Sequence, residues 1–220
     1  MPEEGQGNRT VWLVRHGDRL DFADPGWLAT ATRPHDPPLS PRGRWEAEQI
    51  GRRLGRERIS HVFSSPFLRT LQTADAIAQA LHLGINVEAG LGEWLNREWF
   101  PEPPEILPVD ESRSQFPRID GKYRSRGIAV YGETGQQALE RSGETALQLI
   151  SDFPEDFVIV GHGASVLGAT VKLLGMSPSK LREVLSDMPY ACLVKLVARG
   201  ERWRLELPCD TSHLERQSLP

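Results

Sequence analysis

The sequence predicts an α/β fold: a three-layer α/β/α sandwich around a mostly parallel sheet, with an antiparallel element at one edge. Three observations lead there. Short apolar runs alternate with longer stretches of helical period, which requires crossover connections and hence parallel strands. Three of those runs end in polar turns, Arg15-His16-Gly17, Ser64-Ser65-Pro66 and Gly161-His162-Gly163. The last two runs are separated only by Arg-Gly-Glu-Arg, the spacing of a hairpin.

The elements follow in order. Residues 1–9 read as a polar tail. Val11 to Val14 are apolar throughout, as a strand buried on both faces requires, and Gly17 lets the chain turn after them. Residues 21–42 hold Pro25, Pro34, Pro37, Pro38 and Pro41 without a sustained period, so they read as a long loop, a kind often functional. Ser40 as N-cap and Pro41 at the first position open a helix. It carries Ala47, Ile50, Gly51 and Leu54 on one face and Arg44, Glu48, Arg52 and Arg53 on the other.

Ile59 to Phe63 forms a second strand, and a helix over 67–81 turns Leu68, Leu71, Ala74, Ile77, Ala78 and Leu81 inward. Ile85 to Val87 is a short third strand. Residues 92–132 are rich in Trp, Pro and Gly and show no period, which reads as a lid or insertion with room for a helical turn. Glu133 to Phe153 is helical, with Ala138, Leu139, Ala146, Leu147 and Ile150 inward. Phe157 to Val160 is the fourth strand, followed by helices over 164–174 and 179–185. Leu193 to Val197 and Trp203 to Leu207 make the closing hairpin, and 210–220 reads as a second flexible tail. With no internal repeat and no composition shift, 1–220 reads as one domain.

Composition narrows the function classes. Net charge is −4, from 26 basic and 30 acidic residues, so no general affinity for nucleic acid follows. The two cysteines, Cys192 and Cys209, have neither metal nor disulfide-framework spacing, which fits a reducing compartment. The polar, acidic start is unlike a signal peptide, and no apolar run approaches the ~20 residues that span a bilayer. A cytoplasmic protein is expected, and a homodimer is open.

If the three strands that end in polar turns are neighbours, two histidines and at least two arginines converge. Arginine suits multidentate recognition of phosphate, histidine can attack or carry a proton near neutrality, and helix N-termini add N–H donors. The combination asks for a phosphoryl group. The runs Leu13-Val14-Arg15-His16-Gly17, Ser64-Ser65-Pro66-Phe67-Leu68-Arg69-Thr70 and Val160-Gly161-His162-Gly163 resemble the histidine phosphatase superfamily, also called phosphoglycerate mutase-like. The likeness runs from Val11 to about Gly175. Arg15 to Asp21, Leu91-Gly92-Glu93-Trp94-Leu95 and Pro189-Tyr190-Ala191-Cys192 are most similar to one branch. This branch holds the phosphatase domains of suppressor of T-cell receptor signalling proteins and the ecdysteroid-phosphate phosphatases. Asp18 departs from it, since the branch usually has Glu there.

The resemblance implies a metal-independent phosphatase hydrolysing phosphate monoesters, with no cofactor. His16 would attack phosphorus and become phosphohistidine, while Arg15, Gly17, Arg69 and His162 would hold the phosphoryl oxygens. Arg19 would also contact phosphate, and Glu93 would protonate the leaving oxygen and later activate water. Phosphotyrosine, a steroid or sugar phosphate, or a nucleotide would each fit as substrate.

Structural roles compete at several positions. Arg19 suits an ion pair with Asp18 or Asp21, Arg69 a helix-surface cation, and Glu98 and Glu133 rival Glu93. Glu133-Thr134 with Arg141 reads as helix start and support. Phe22, Trp94, Trp99 and Phe100 suit either a pocket wall or lid packing. His35, His61, His82 and His213 lack metal spacing and read as surface residues. A phosphoglycerate-type mutase is the alternative, disfavoured because 92–132 reads as Pro- and Trp-rich and as lacking the Arg- and Tyr-rich sequence with which mutases grip a second phosphate. A non-catalytic phospholigand scaffold is a third reading.

Overall fold

The protein, seen as a computed structural model, is described over residues 9–215 apart from 186 and 201. Its sheet is centred on β1 (Arg9–Arg15), flanked by β4 (Phe157–Gly161) in parallel and β5 (Leu193–Arg199) in antiparallel pairing. Beyond β4 lie β2 (His61–Ser64) and β3 (Ile85–Val87), both parallel, and β6 (Arg202–Asp210) closes the other edge as a hairpin with β5. The order is therefore β3-β2-β4-β1-β5-β6. This is the expected mostly parallel sheet with an antiparallel edge.

Alternation along the strands feeds two cores. Trp12 and Val14 pack with Val158, Val160 and Val62 against α3 (Pro41–Leu54) and α4 (Leu68–Leu81). Val11 and Leu13 pack with Phe157, Ile159 and Phe63 against α6 (Gly135–Asp152) and α7 (Gly163–Leu174). Val11 to Val14 of β1 and Phe157 to Val160 of β4 are apolar on every residue because both faces are covered. Ser40 does cap α3, its hydroxyl accepting from the Gly43 N–H at 3.0 Å. Thr134 and Gln137 form a capping box at the start of α6.

Several boundaries move. Two single-turn helices, α1 (Leu20–Ala23) and α2 (Trp27–Thr30), interrupt the expected loop, and neither buries a residue. One turn is too short to show a period. The 92–132 segment holds one helix, α5 (Val109–Gln115), and α8 (Pro178–Leu185) follows α7. Leu147 is 36 % exposed rather than inward; Leu149 takes the core position. Arg9 begins β1 and Asp210 ends β6, so the expected tails are shorter, and a 3-10 turn over Ser212–Leu214 places Leu214 against the core. Residues 1–8 and 216–220 of those tails lie outside the described residues.

Register decides what meets at the carboxyl edge of the sheet. Arg15 pairs with Gly161 across β1 and β4, and Ser64 pairs with Val160 across β2 and β4. Each of the three strands then continues by one residue, so His16, His162 and Ser65 emerge side by side.

Candidate active site

His16 is fixed from both sides. Its N–H donates to the Gly161 carbonyl at 3.0 Å, and its own carbonyl accepts from the Ala191 N–H at 3.1 Å. The Gly17 carbonyl lies 2.8 Å from His16 Nδ1 and can only accept, so Nδ1 carries the proton and Nε2 keeps its lone pair. Gly17 is required here by close approach: a Cβ would lie 2.6 Å from the Gly43 carbonyl oxygen of α3. Burial, then the charge of Arg69 and the neighbouring His162, hold the His16 imidazole well below its ordinary value of 6.5 and keep it neutral.

Arg69, on the second residue of α4, is 1 % exposed. Its Nε donates to His16 Nε2 at 3.3 Å and its Nη2 donates to Glu93 Oε2 at 3.1 Å. A cation at a helix N-terminus opposes the helix dipole, and here anionic groups compensate it. Glu93 does so directly, and Asp36 stands 3.9 Å from Arg69 Nη1. Asp36 also accepts from the Leu68 N–H at 2.8 Å, supplying the cap that Phe67 cannot. Burial pushes the Asp36 carboxyl up to about 6, against the Leu68 hydrogen bond and Arg69.

His162 is fully buried. Glu93 Oε2 lies 3.1 Å from its Nδ1, a contact that requires a proton between them, so Nδ1–H donates to the carboxylate. Nε2 then accepts from the Ser65 hydroxyl at 2.8 Å. Burial outweighs the pull of Glu93 and, with Arg69, lowers the imidazole to about 4. Burial alone would raise the Glu93 carboxyl; the His162 N–H and Arg69 overcome it and hold it well below the carboxylate range.

Glu93 itself is held through its backbone. Arg141 donates to the carbonyls of Gly90 at 2.7 Å, Gly92 at 3.2 Å and Glu93 at 3.2 Å, while its guanidinium pairs with Glu133 at 2.5 Å. Glu133 is thus engaged elsewhere, and Glu98 is exposed and outside the cleft. Of the three rival carboxylates, only Glu93 joins the cluster.

Arg15 stacks over the Tyr190 ring at 4.2 Å and donates to the Met188 carbonyl at 2.5 Å. Arg15 Nε and Arg69 Nη1 are buried without a hydrogen-bond partner among the described residues. Arg19 makes the loop ion pair with Asp21 at 2.6 Å, yet it also lines the cleft. Asp18, the departure from the branch pattern, is turned away: its carboxylate accepts from Ser40 Oγ at 2.6 Å.

His16, Glu93 and His162 offer donor atoms within 4.8 Å of one another, spacing that could hold a metal. The Arg69 guanidinium already touches all three, at 3.3, 3.1 and 3.2 Å. A second cation there would face a fixed charge, so the donor set does not fit a metal.

His16, Glu93, Arg15 and Arg19 line the floor of a cleft of about 1400 Å³, and Arg69 and His162 are buried beneath it in contact with His16 and Glu93. Phe22, Trp94, Trp99 and Phe100 all wall it, as one of the two readings had it. His35 corrects its surface reading by lining the cleft edge-on to Phe100, and His213 is half-buried. Contrary to the sequence reading, the 92–132 segment carries five arginines, Arg97, Arg113, Arg118, Arg124 and Arg126, with Tyr123 and Tyr131, but none of them lines the cleft: Arg118 pairs with Asp75 and Arg126 with Asp152. Sequence reading did not single out Asp36, Tyr190 or the Met188 carbonyl for the site. Only the unperiodic 21–42 loop hinted that its residues were reserved for something other than packing.

The family model described as "Histidine phosphatase superfamily (branch 1)" matches residues 11–211. The ecdysteroid-phosphate phosphatase of Drosophila melanogaster is 27 % identical over 242 residues, covering 91 % of this chain and 32 % of that protein. Ubiquitin-associated and SH3 domain-containing protein A of Homo sapiens is 29 % identical over 209 residues, covering 77 % of this chain and 32 % of that protein. The chain thus spans about a third of the length of these curated relatives. Among solved structures, the ecdysone phosphate phosphatase of Bombix mori, complexed with tungstate, superposes with a TM-score of 0.66 at 22 % identity. That match covers 93 % of this chain and 94 % of the other, and it shows the shared fold.

Proposed function

The chain belongs to the histidine phosphatase superfamily, and from that premise we propose that it hydrolyses phosphate monoesters through a phosphohistidine on His16, without a metal. One observation carries the reading: around His16, whose unprotonated Nε2 accepts only from Arg69, Arg15 and Arg69 each keep a buried N–H donor unpartnered among the described residues. Buried donors of that kind cost free energy unless an anion satisfies them.

In the first step Nε2 attacks phosphorus, the bond to the leaving oxygen breaks, and Glu93 gives that oxygen its proton. Arg15, Arg69 and Arg19 neutralise the phosphoryl oxygens, to which the Gly17 N–H and the neutral His162 can donate, the role that positioned charge and dipoles play in phosphoryl transfer. In the second step Glu93 takes a proton from water, water attacks phosphorus, and the N–P bond breaks to release phosphate and neutral His16. A substrate dianion on Arg69 offsets the charge that depresses Glu93, so binding itself raises that carboxyl toward its acid role. Hydrolysis rather than mutase chemistry is supported by the wall of the cleft, to which the 92–132 segment contributes aromatics and no cation.

The test is hydrolysis of p-nitrophenyl phosphate with EDTA present, for the wild type and His16→Ala. Turnover by the wild type alone is expected. Equal turnover by both sinks the nucleophile assignment, and a wild-type phosphoenzyme formed from bisphosphoglycerate with mutase activity would replace phosphatase by mutase.

A further inference from the structure

We propose that this cleft selects phosphate monoesters of large, apolar alcohols or phenols, with Phe22, Leu28 and Trp99 as specificity-determining residues. The proposal rests on the phosphatase reading and concerns the leaving group. Its starting point is size. At about 1400 Å³ the cleft exceeds the ~300–1,000 Å³ usual for small-molecule sites, and a phosphoryl group fills only its floor.

The second argument is what the mouth exposes. Phe22, Leu28 and Trp99 are 68, 64 and 58 % exposed, and all three line this one cleft. A single exposed apolar side chain is ordinary; three around one opening mark a binding surface. The segments that present them have little other use. α1 and α2 bury nothing, and the α2 turn is held at Trp27, whose Nε1 donates to the Pro34 carbonyl at 3.2 Å. Trp99 packs edge-on against Trp94, itself anchored by a 2.8 Å bond to the Glu133 carbonyl. Opposite them, Leu139, Leu167 and Val171 supply an apolar wall from α6 and α7.

Charge gives the third argument. Beyond the floor, the cation lining the cleft is Lys172, and its ammonium is bound to Glu144 at 2.5 Å, with Glu140 nearby in the lining. Arg19, at the boundary, is shared with Asp21. A second phosphate or a carboxylate on the leaving group, as in a nucleoside diphosphate or phosphoglycerate, would find no free cation at the mouth among the described residues. An amphipathic ester, anionic at one end and apolar over the rest, matches both halves of the cleft.

The experiment compares kcat/KM for phenyl phosphate, biphenyl-4-yl phosphate and 3-phosphoglycerate. The two phenols leave with similar acidity, so their ratio reports the mouth and not the chemistry. At ~25 cal/mol per Å², a second ring burying ~100 Å² gives a preference on the order of 50-fold. We expect at least ~tenfold for the biphenyl ester, expressed in KM. In the Phe22→Ala/Leu28→Ala/Trp99→Ala variant that ratio should fall to within ~threefold, and Trp99→Phe should keep most of it. The ratio is internal to each variant, so partial loss of folded protein does not distort it. A wild-type ratio near one, a ratio untouched by the triple substitution, or preference for 3-phosphoglycerate overturns the selectivity and leaves the phosphatase standing. Turnover of none of the three overturns the phosphatase reading and the selectivity with it.

Discussion

At the floor of the cleft His16 is 2 % exposed, and Arg69 and His162, buried against it, are 1 and 0 % exposed; at its mouth Phe22, Leu28 and Trp99 are all more than half exposed. His16 and His162 follow strand ends whose positions are fixed by β1–β4–β2 register, and the histidine, Arg69 and Glu93 side chains there hold one another by hydrogen bonds. The mouth hangs on single-turn helices and an irregular loop. Chemistry that depends on tenths of an ångström sits on the rigid part, where low dielectric strengthens every charge. Selection by apolar area tolerates looser geometry and is left to segments free to vary.

If that division is right, substitutions on the floor should be severe and indifferent to the size of the leaving group. His16→Ala should reduce turnover by at least ~10⁴-fold and abolish the acid-labile phosphoenzyme in radiolabelled phosphate trapping. Residual labelling would place the nucleophile elsewhere. Arg69→Met should follow at roughly 10³-fold, chiefly in kcat, since it removes a fixed charge that touches His16, Glu93 and His162 together.

Glu93→Gln sharpens the comparison by separating acid catalysis from binding. The loss should be about 10²–10⁴-fold on alkyl phosphates and under ~tenfold on dinitrophenyl phosphate, whose leaving group needs no proton. Uniform losses would remove Glu93 from the acid role. Arg141→Met should show the same leaving-group pattern at about tenfold, because Arg141 aims Glu93 by holding the carbonyls of residues 90, 92 and 93. A loss equal across leaving groups would mean it supports only folding.

The smallest expected effect is on stability against pH. His16 and His162 are held neutral below their ordinary 6.5, His162 down to about 4, so the unfolded chain binds more protons between pH 6.5 and 4. Stability therefore falls as pH falls through that window. Asp36, raised to about 6, has the opposite sign: its ionised form costs stability above pH 6, and that cost fades as pH falls. The measured slope should be shallower than two histidines alone would give, and Asp36→Asn should steepen it. Urea unfolding between pH 7 and 4 reads this directly, and an unchanged slope would show that Asp36 is not raised.

Much of this molecule is written in short-range pattern. Val11 to Val14 and Phe157 to Val160 are apolar on every residue, which identifies buried strands wherever they sit in the sheet. Ser40-Pro41 and Thr134-Gln137 cap their helices through atoms three residues apart, within reach of local reasoning. Arg15-His16-Gly17, Arg69 and Gly161-His162-Gly163 could be named because each lies beside a strand end. What no local pattern contains is adjacency. β4 enters the sheet between β1 and β2, though in the chain it begins well after both, at Phe157 against ends at Arg15 and Ser64, and only that insertion brings His162 beside His16 and within reach of Ser65. That Glu93 reaches the cluster while Glu133 does not depends on Arg141, which pairs with Glu133 and holds the backbone at Glu93. Asp36 gained its place only when the proline-rich loop folded across the start of α4. Periodicity and capping act over a few residues and are legible in the chain; charges separated by tens of residues meet only where packing brings them together.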